Sequence, residues 1–93
     1  MIIVSYDISN DNVRTSFSKL LKKHGRRLQF SVYEIKNSKR ILEIILHDID
    51  VKFSKRFTPE DSVFIYQICQ ADQKKMVRYG YNIHDQDDLL IFD

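Results

Sequence analysis

The stretch Val4-Ser5-Tyr6-Asp7-Ile8-Ser9 closes an apolar run that begins at Met1, and a helical pattern follows it at once. Continuous apolar character over Met1 to Tyr6 predicts a first strand buried on both faces. Asp7 then falls at the carboxyl end of that strand, at the rim of a sheet. There a hard oxygen ligand reaches solvent and can meet a cation or a polyanion. Acidic residues at strand-to-helix junctions also cap or orient the turn, and these residues alone leave both roles open to Asp7.

Ser9, Asn10 or Asp11 can serve as the N-cap of a first helix. Its buried face is marked by Val13, Phe17, Leu20, Leu21 and His24 at three- and four-residue spacing. Gly25 is expected to stop this helix in a left-handed conformation. Arg26 to Lys36 alternates, with Leu28, Phe30, Val32 and Glu34 on one face and Arg27, Gln29, Ser31, Tyr33 and Ile35 on the other. This reads as one long strand or as two short strands kinked near Ser31. A second helix is expected from about Ser38 to Ile49, with an apolar stripe of Ile41, Leu42, Ile44, Ile45 and Ile49. Asp50 to Glu60 reads as a polar connector anchored by Phe53 and Phe57. Ser62 to Cys69 is the clearest later strand, after the turn residues Thr58-Pro59-Glu60-Asp61. A short helical turn over Asp72 to Val77 and a last strand over Leu89 to Phe92 complete the reading.

This order gives an α+β chain. It suits a ferredoxin-like βαββαβ domain with an additional C-terminal strand, an antiparallel sheet and both helices on one face. The uncovered sheet face, carrying Tyr and Phe, invites a second copy, so a homodimer is expected, with Leu89 to Phe92 pairing either with the partner's sheet or with its own. The 93 residues make a single domain, 1–93. No apolar run approaches the ~18 residues of a membrane span and no leader pattern is present. The chain is therefore expected to be soluble and cytoplasmic, with no membrane partner. Cys69 cannot form an internal disulfide, and its apolar neighbours predict a small buried core residue.

The net charge of +2 conceals segregation. Nine of the fifteen Lys and Arg residues lie within residues 11–40, where the acids are only Asp11 and Glu34. Asp85, Asp87, Asp88 and Asp93 occur in the last twelve residues without any Lys or Arg. Basic residues at the end of a helix complement its dipole, which accounts for Lys22 and Lys23. It does not account for Arg26 and Arg27 beyond Gly25, or for Lys36, Lys39 and Arg40. The basic half thus points to an anionic partner. His24 falls on an apolar helix face, and His47 and His84 have no spacing partners for zinc.

Three blocks carry a family resemblance. The first is Tyr6-Asp7-Ile8-Ser9 followed by Asp11 and Arg14. The second is Gly25-Arg26-Arg27-Leu28-Gln29-Phe30-Ser31-Val32-Tyr33-Glu34, close to Gly-x-Arg-x-Gln-x-Ser-Val-Phe-Glu. The third is Asp61-Ser62-Val63-Phe64-Ile65-Tyr66, like Asp-x-Val-x-Ile-Tyr. In this order and spacing the chain resembles the CRISPR-associated protein two family over essentially its whole length, Gly80 included. Tyr33 stands where Phe is common, and Phe64 where a basic residue is frequent.

The resemblance implies a homodimeric subunit of the CRISPR adaptation complex that binds protospacer duplex DNA and bridges dimers of the adaptation integrase. Such a bridge needs cations along a rigid surface, because phosphate contacts fix position without reading sequence. Arg14, Lys19, Lys22, Lys23, Arg26 and Arg27 are the expected nucleic-acid contacts. The alternative is a metal-dependent endonuclease acting on RNA or DNA. In it Asp7 is both catalytic residue and metal ligand for Mg²⁺ or Mn²⁺, with two copies of Asp7 meeting across a two-fold axis and with Ser9 and Asp11 as secondary ligands. A third reading is a protein-only interaction module, which binding indifferent to salt would favour.

Overall fold

The computed structural model describes residues 1–77 and 79. The elements run β1 (Ile2–Asp7), α1 (Asp11–His24), β2 (Gly25–Gln29), β3 (Val32–Ile35), α2 (Lys39–Asp48), β4 (Ser62–Gln67) and a four-residue helix α3 (Gln70–Gln73). The first six form a βαββαβ unit. Its sheet order β2-β3-β1-β4, with every neighbouring pair antiparallel, is that of the ferredoxin-like fold. The expected terminal strand Leu89 to Phe92, Gly80, His84 and the acidic tail lie outside the described residues.

Alternation along β1 sorts the core into two faces. Ile2, Val4 and Tyr6 point to one side and join Tyr33 and Ile35 of β3. On that side they meet Val13, Phe17, Leu20 and Leu21 of α1, together with Leu42 and Ile45 of α2. Both helices therefore cover the same face of the sheet. Met1, Ile3 and Leu28 point to the other face, where Val32, Ile68 and Met76 pack against them. That face stays partly open, and on β4 the rings of Phe64 and Tyr66 stack 6.3 Å apart while 55% and 49% exposed.

Helix α1 is capped by Asn10, whose side chain accepts from the Val13 backbone N–H and so satisfies one of the unpaired donors of the first turn. Its end departs from expectation. Gly25 is extended, with φ −172° and ψ −156°, and is already the first residue of β2. The small residue is needed for a close approach: a Cβ there would strike the Glu34 carbonyl oxygen and lie 2.8 Å from the Ile35 Cα. Two short strands, rather than one, then make a hairpin with its turn at Phe30 and Ser31, and Phe30 is 79% exposed. The register slips between Arg27 and Gln29, which leaves Leu28 as the extra residue of the bulge and sets Gln29 opposite Val32, with Leu28 on the open face.

The second helix occupies the expected stretch, but helical backbone does not end with it. After Asp48 the chain continues through a π-helical turn, Ile49–Phe53, and a 3₁₀ turn, Ser54–Arg56. Asp50 and Lys52 give this stretch a polar reading, and Phe53, which is buried, and Phe57, which packs on the core, anchor it as expected. Ring contacts of Phe17 with Phe53 at 5.2 Å and with Phe57 at 6.2 Å hold it there. Strand β4 ends at Gln67, so Cys69 leaves the sheet. It is exposed, not buried, and its Sγ lies 3.2 Å from Asp72 Oδ2.

Candidate nucleic-acid interface

The carboxyl end of β1, the first turns of α1, β2 and the hairpin turn converge on one cleft of about 600 Å³. Asp7, Arg14, Ser18, Arg27 and Ser31 are among its lining residues. Asp7 arrives there because β1 ends with it, paired with Ser62 of β4. Its side chain is exposed and makes no hydrogen bond or ion pair with any described residue.

The neighbouring carboxylates are engaged. Asp61 accepts both the backbone N–H and the hydroxyl of Ser9 at 3.0 Å, and the Thr58 N–H at 2.9 Å. These bonds to the charged form, the Thr58 and Ser9 backbone donors first, hold the Asp61 carboxyl below its ordinary pKa. Asp11 pairs with Arg14. Ser9 and Asp11, the expected secondary ligands, thus already have partners, and Asp7 is the carboxylate of the cleft left uncommitted by the described residues.

Of the six expected cations, two line this cleft. Arg14 donates from Nη1 to the backbone carbonyls of Ile8, at 3.0 Å, and Ser9, at 3.4 Å, and from Nη2 to Asp11. It therefore fastens the β1–α1 connection as well as adding charge. Arg27 donates from Nε to the Tyr33 hydroxyl at 2.9 Å, and its Cζ lies 5.5 Å from the Tyr33 ring centroid. Its terminal nitrogens make no bond with a described residue.

The other four sit elsewhere. Lys19 and Lys22 are exposed on α1, at three- and four-residue steps from Thr15 of the cleft, so they prolong its helical wall away from Asp7. Lys23 and Arg26 lie at the opposite end of the sheet. They line a second cleft with His24, Glu34 and Lys36, and Arg26 Nη2 pairs with Glu34 at 3.1 Å. His24 is half-buried there, and His47 is exposed.

Sequence reasoning missed Tyr6, Ser18, Ser31, Tyr33 and Asp61 as parts of this region. Tyr6 donates its hydroxyl to the Phe30 carbonyl at 3.2 Å and stacks on Tyr33 at 6.3 Å. Burial, then the neighbouring Tyr33, pushes the Tyr6 phenol above its ordinary pKa, against the opposing influence of Arg27, Ser18 and Arg14. From sequence Tyr6 reads as part of a buried strand and Tyr33 as sharing a face with Arg27, Gln29 and Ser31. Only their tips, which polar groups satisfy in a buried ring, signal contact with the cleft.

A metal is implied by the resemblance. Among the described residues no group of three His, Cys, Asp or Glu side chains could hold one. One hard carboxylate per chain fits a hydrated Mg²⁺ or Mn²⁺ shared with a second copy and with phosphate oxygens, not an all-protein cage. Among the described residues no helix is long and apolar enough to cross a membrane.

Known proteins agree with this architecture. The chain is 35% identical to CRISPR-associated endoribonuclease Cas2 3 of Chloroflexus aurantiacus over 86 residues, covering 91% of this chain and 88% of that one. The solved structure of a hypothetical protein, TT1823, from Thermus thermophilus superposes with a TM-score of 0.60 at 31% identity, covering 73% of this chain and 79% of that one. The crystal structure of Streptococcus pyogenes Cas2 gives a TM-score of 0.67 at 21% identity, covering 85% and 98%, a likeness of fold. The family profile for CRISPR associated protein Cas2 matches residues 1–76, and the chain accordingly belongs to the Cas2 family, a component of CRISPR adaptation.

Proposed function

We propose that the chain works as a homodimer that holds duplex DNA by its phosphates and bridges dimers of the adaptation integrase. The observation that carries this reading is the cleft of Asp7, Arg14 and Arg27, extended along α1 by Lys19 and Lys22. It is a cationic rail on a helix and a strand, and rigid elements are what register on a polyanion requires. The half-open sheet face, with Phe64 and Tyr66 exposed, supports association with a second copy. The test is binding of a labelled DNA duplex across a salt series, by wild type and Arg27→Ala. The reading expects affinity that falls steeply with salt, and a shallower slope in the variant. Binding indifferent to salt would sink it in favour of a protein-only module.

A second reading, metal-dependent cleavage of RNA or DNA, is favoured by the uncommitted state of Asp7 and by the endoribonuclease name of the Chloroflexus aurantiacus relative. A bound Mg²⁺ or Mn²⁺ would supply activated water and offset charge on the scissile phosphate. Asp7 would hold the ion, and the Arg27 guanidinium would orient the phosphate. Loss of metal-dependent cleavage in Asp7→Ala, with duplex binding retained, separates this activity from the architectural one.

A further inference from the structure

Arg27 and Tyr33 are register partners across β2 and β3, on the face of the sheet that the helices cover. Tyr33 is fully buried and stacked on Tyr6, so its hydroxyl has one fixed position. A buried phenol needs a hydrogen-bond partner, and the partner here is Arg27 Nε at 2.9 Å. The bond takes one donor of the guanidinium. The terminal nitrogens, bonded to no described residue, remain a planar fork of the kind that grips a phosphate through two parallel bonds.

Leu28 packs on the far face while Arg27 stays opposite Tyr33, with Phe30 and Ser31 of the turn lining the same cleft. An arginine free to rotate must lose its side-chain entropy when it meets a phosphate. One already held at Nε has lost much of it on folding.

We infer that Tyr33 is a positioning residue, whose buried hydroxyl presets the Arg27 guanidinium for a phosphate group in the Asp7 cleft. The inference rests on the reading of Arg27 as a phosphate contact. Tyr33 itself touches no ligand. Lysine at position 27 could not be set in this way, having no Nε–H beside a separate charged fork.

The experiment is a double-mutant cycle on duplex DNA binding with wild type, Tyr33→Phe, Arg27→Ala and the double variant. Tyr33→Phe keeps the ring and the stacking, removes one hydroxyl and leaves the charge unchanged. It should weaken binding roughly five-fold, the scale of one orienting hydrogen bond, with the salt slope of wild type. Arg27→Ala should weaken binding more and flatten the slope, and adding Tyr33→Phe to it should change nothing further. If Arg27→Ala binds as wild type does, the phosphate reading of Arg27 fails. If Arg27→Ala loses affinity but Tyr33→Phe does not, or if the two losses multiply, the positioning role alone is overturned. NMR of the wild-type Arg27 Nε–H keeps the question open to refutation should Tyr33→Phe fold poorly. A resolved proton that exchanges slowly with solvent is expected, and exchange as fast as that of an unpaired surface arginine would overturn the proposal.

Discussion

Asp61 and Ser9, 52 positions apart in sequence, are joined by two hydrogen bonds of 3.0 Å to a single carboxylate oxygen. Through them the exit of β1 is fastened to the turn that starts β4. Asp7 lies between this latch and its own ladder partner Ser62, so the uncommitted carboxylate of the cleft stands on backbone held from both sides.

The latch should be acid-sensitive. Asp61 is held below its ordinary pKa by the Thr58 and Ser9 donors, so folding favours its charged form. The stability it contributes is fully present above the ordinary Asp value of 3.8 and is lost as pH falls through the lowered folded value. Thermal melts of wild type and Asp61→Asn from about pH 7 to about pH 3 should show the variant less stable at neutral pH, with the gap closing in acid. A gap that stays constant to the lowest pH would show the latch to be neutral in effect.

Asp7 should behave in the opposite way. It has no partner among the described residues and is exposed, so Asp7→Ala should shift stability by no more than about 0.5 kcal/mol. Any Mg²⁺- or Mn²⁺-dependent cleavage of labelled RNA or DNA should vanish in the same variant. Cleavage that survives the substitution would place the activity elsewhere.

Much of the fold was legible because it rests on local periodicity. Val13, Phe17, Leu20 and Leu21 of α1 are all buried, at the spacing the sequence displays. The uniform apolar run of β1 does fill two separate clusters on the two faces of the sheet. The hairpin was harder. Alternation continues through the turn, so Phe30 reads as a core residue although it is the exposed turn, and Tyr33 and Ile35 read as the polar face although they carry the helix-side core. Asp7 was legible as a strand-end carboxylate. Its company was not, because the bonds of Asp61 to Ser9 and of Arg27 to Tyr33 join residues whose pairing only the sheet register creates.

Gly25 offers a test of the corrected helix end. A left-handed stop would tolerate Asn, whereas a close approach tolerates no side chain at all. Since a Cβ at position 25 would strike the Glu34 carbonyl and the Ile35 Cα, Gly25→Ala and Gly25→Asn should both cost about 1–3 kcal/mol, as overpacking does. The loss would be read in denaturant melts. Asn matching wild type would restore the left-handed interpretation.

Arg14 and Arg27 line one cleft but should part company when replaced. Arg14 holds the Ile8 and Ser9 carbonyls and pairs with Asp11. Its removal frees the β1–α1 connection beside Asp7, so Arg14→Ala should lower stability by about 1 kcal/mol while also weakening duplex binding. Part of its binding defect is therefore conformational, and Arg14→Lys, which keeps the charge but not the carbonyl contacts, should recover little of the stability. Among the described residues Arg27 is fastened only at Nε, to a hydroxyl too deeply buried to be left unpaired without cost. Made in the Tyr33→Phe background, where no buried hydroxyl is left unpaired, Arg27→Ala should leave the melting curve near that of Tyr33→Phe and show its whole effect in binding, as lower affinity and a flatter salt dependence. Measured together, melting and salt-titrated binding distinguish an arginine that shapes the cleft from one that grips what enters it. Equal stability losses in the two variants would contradict that division.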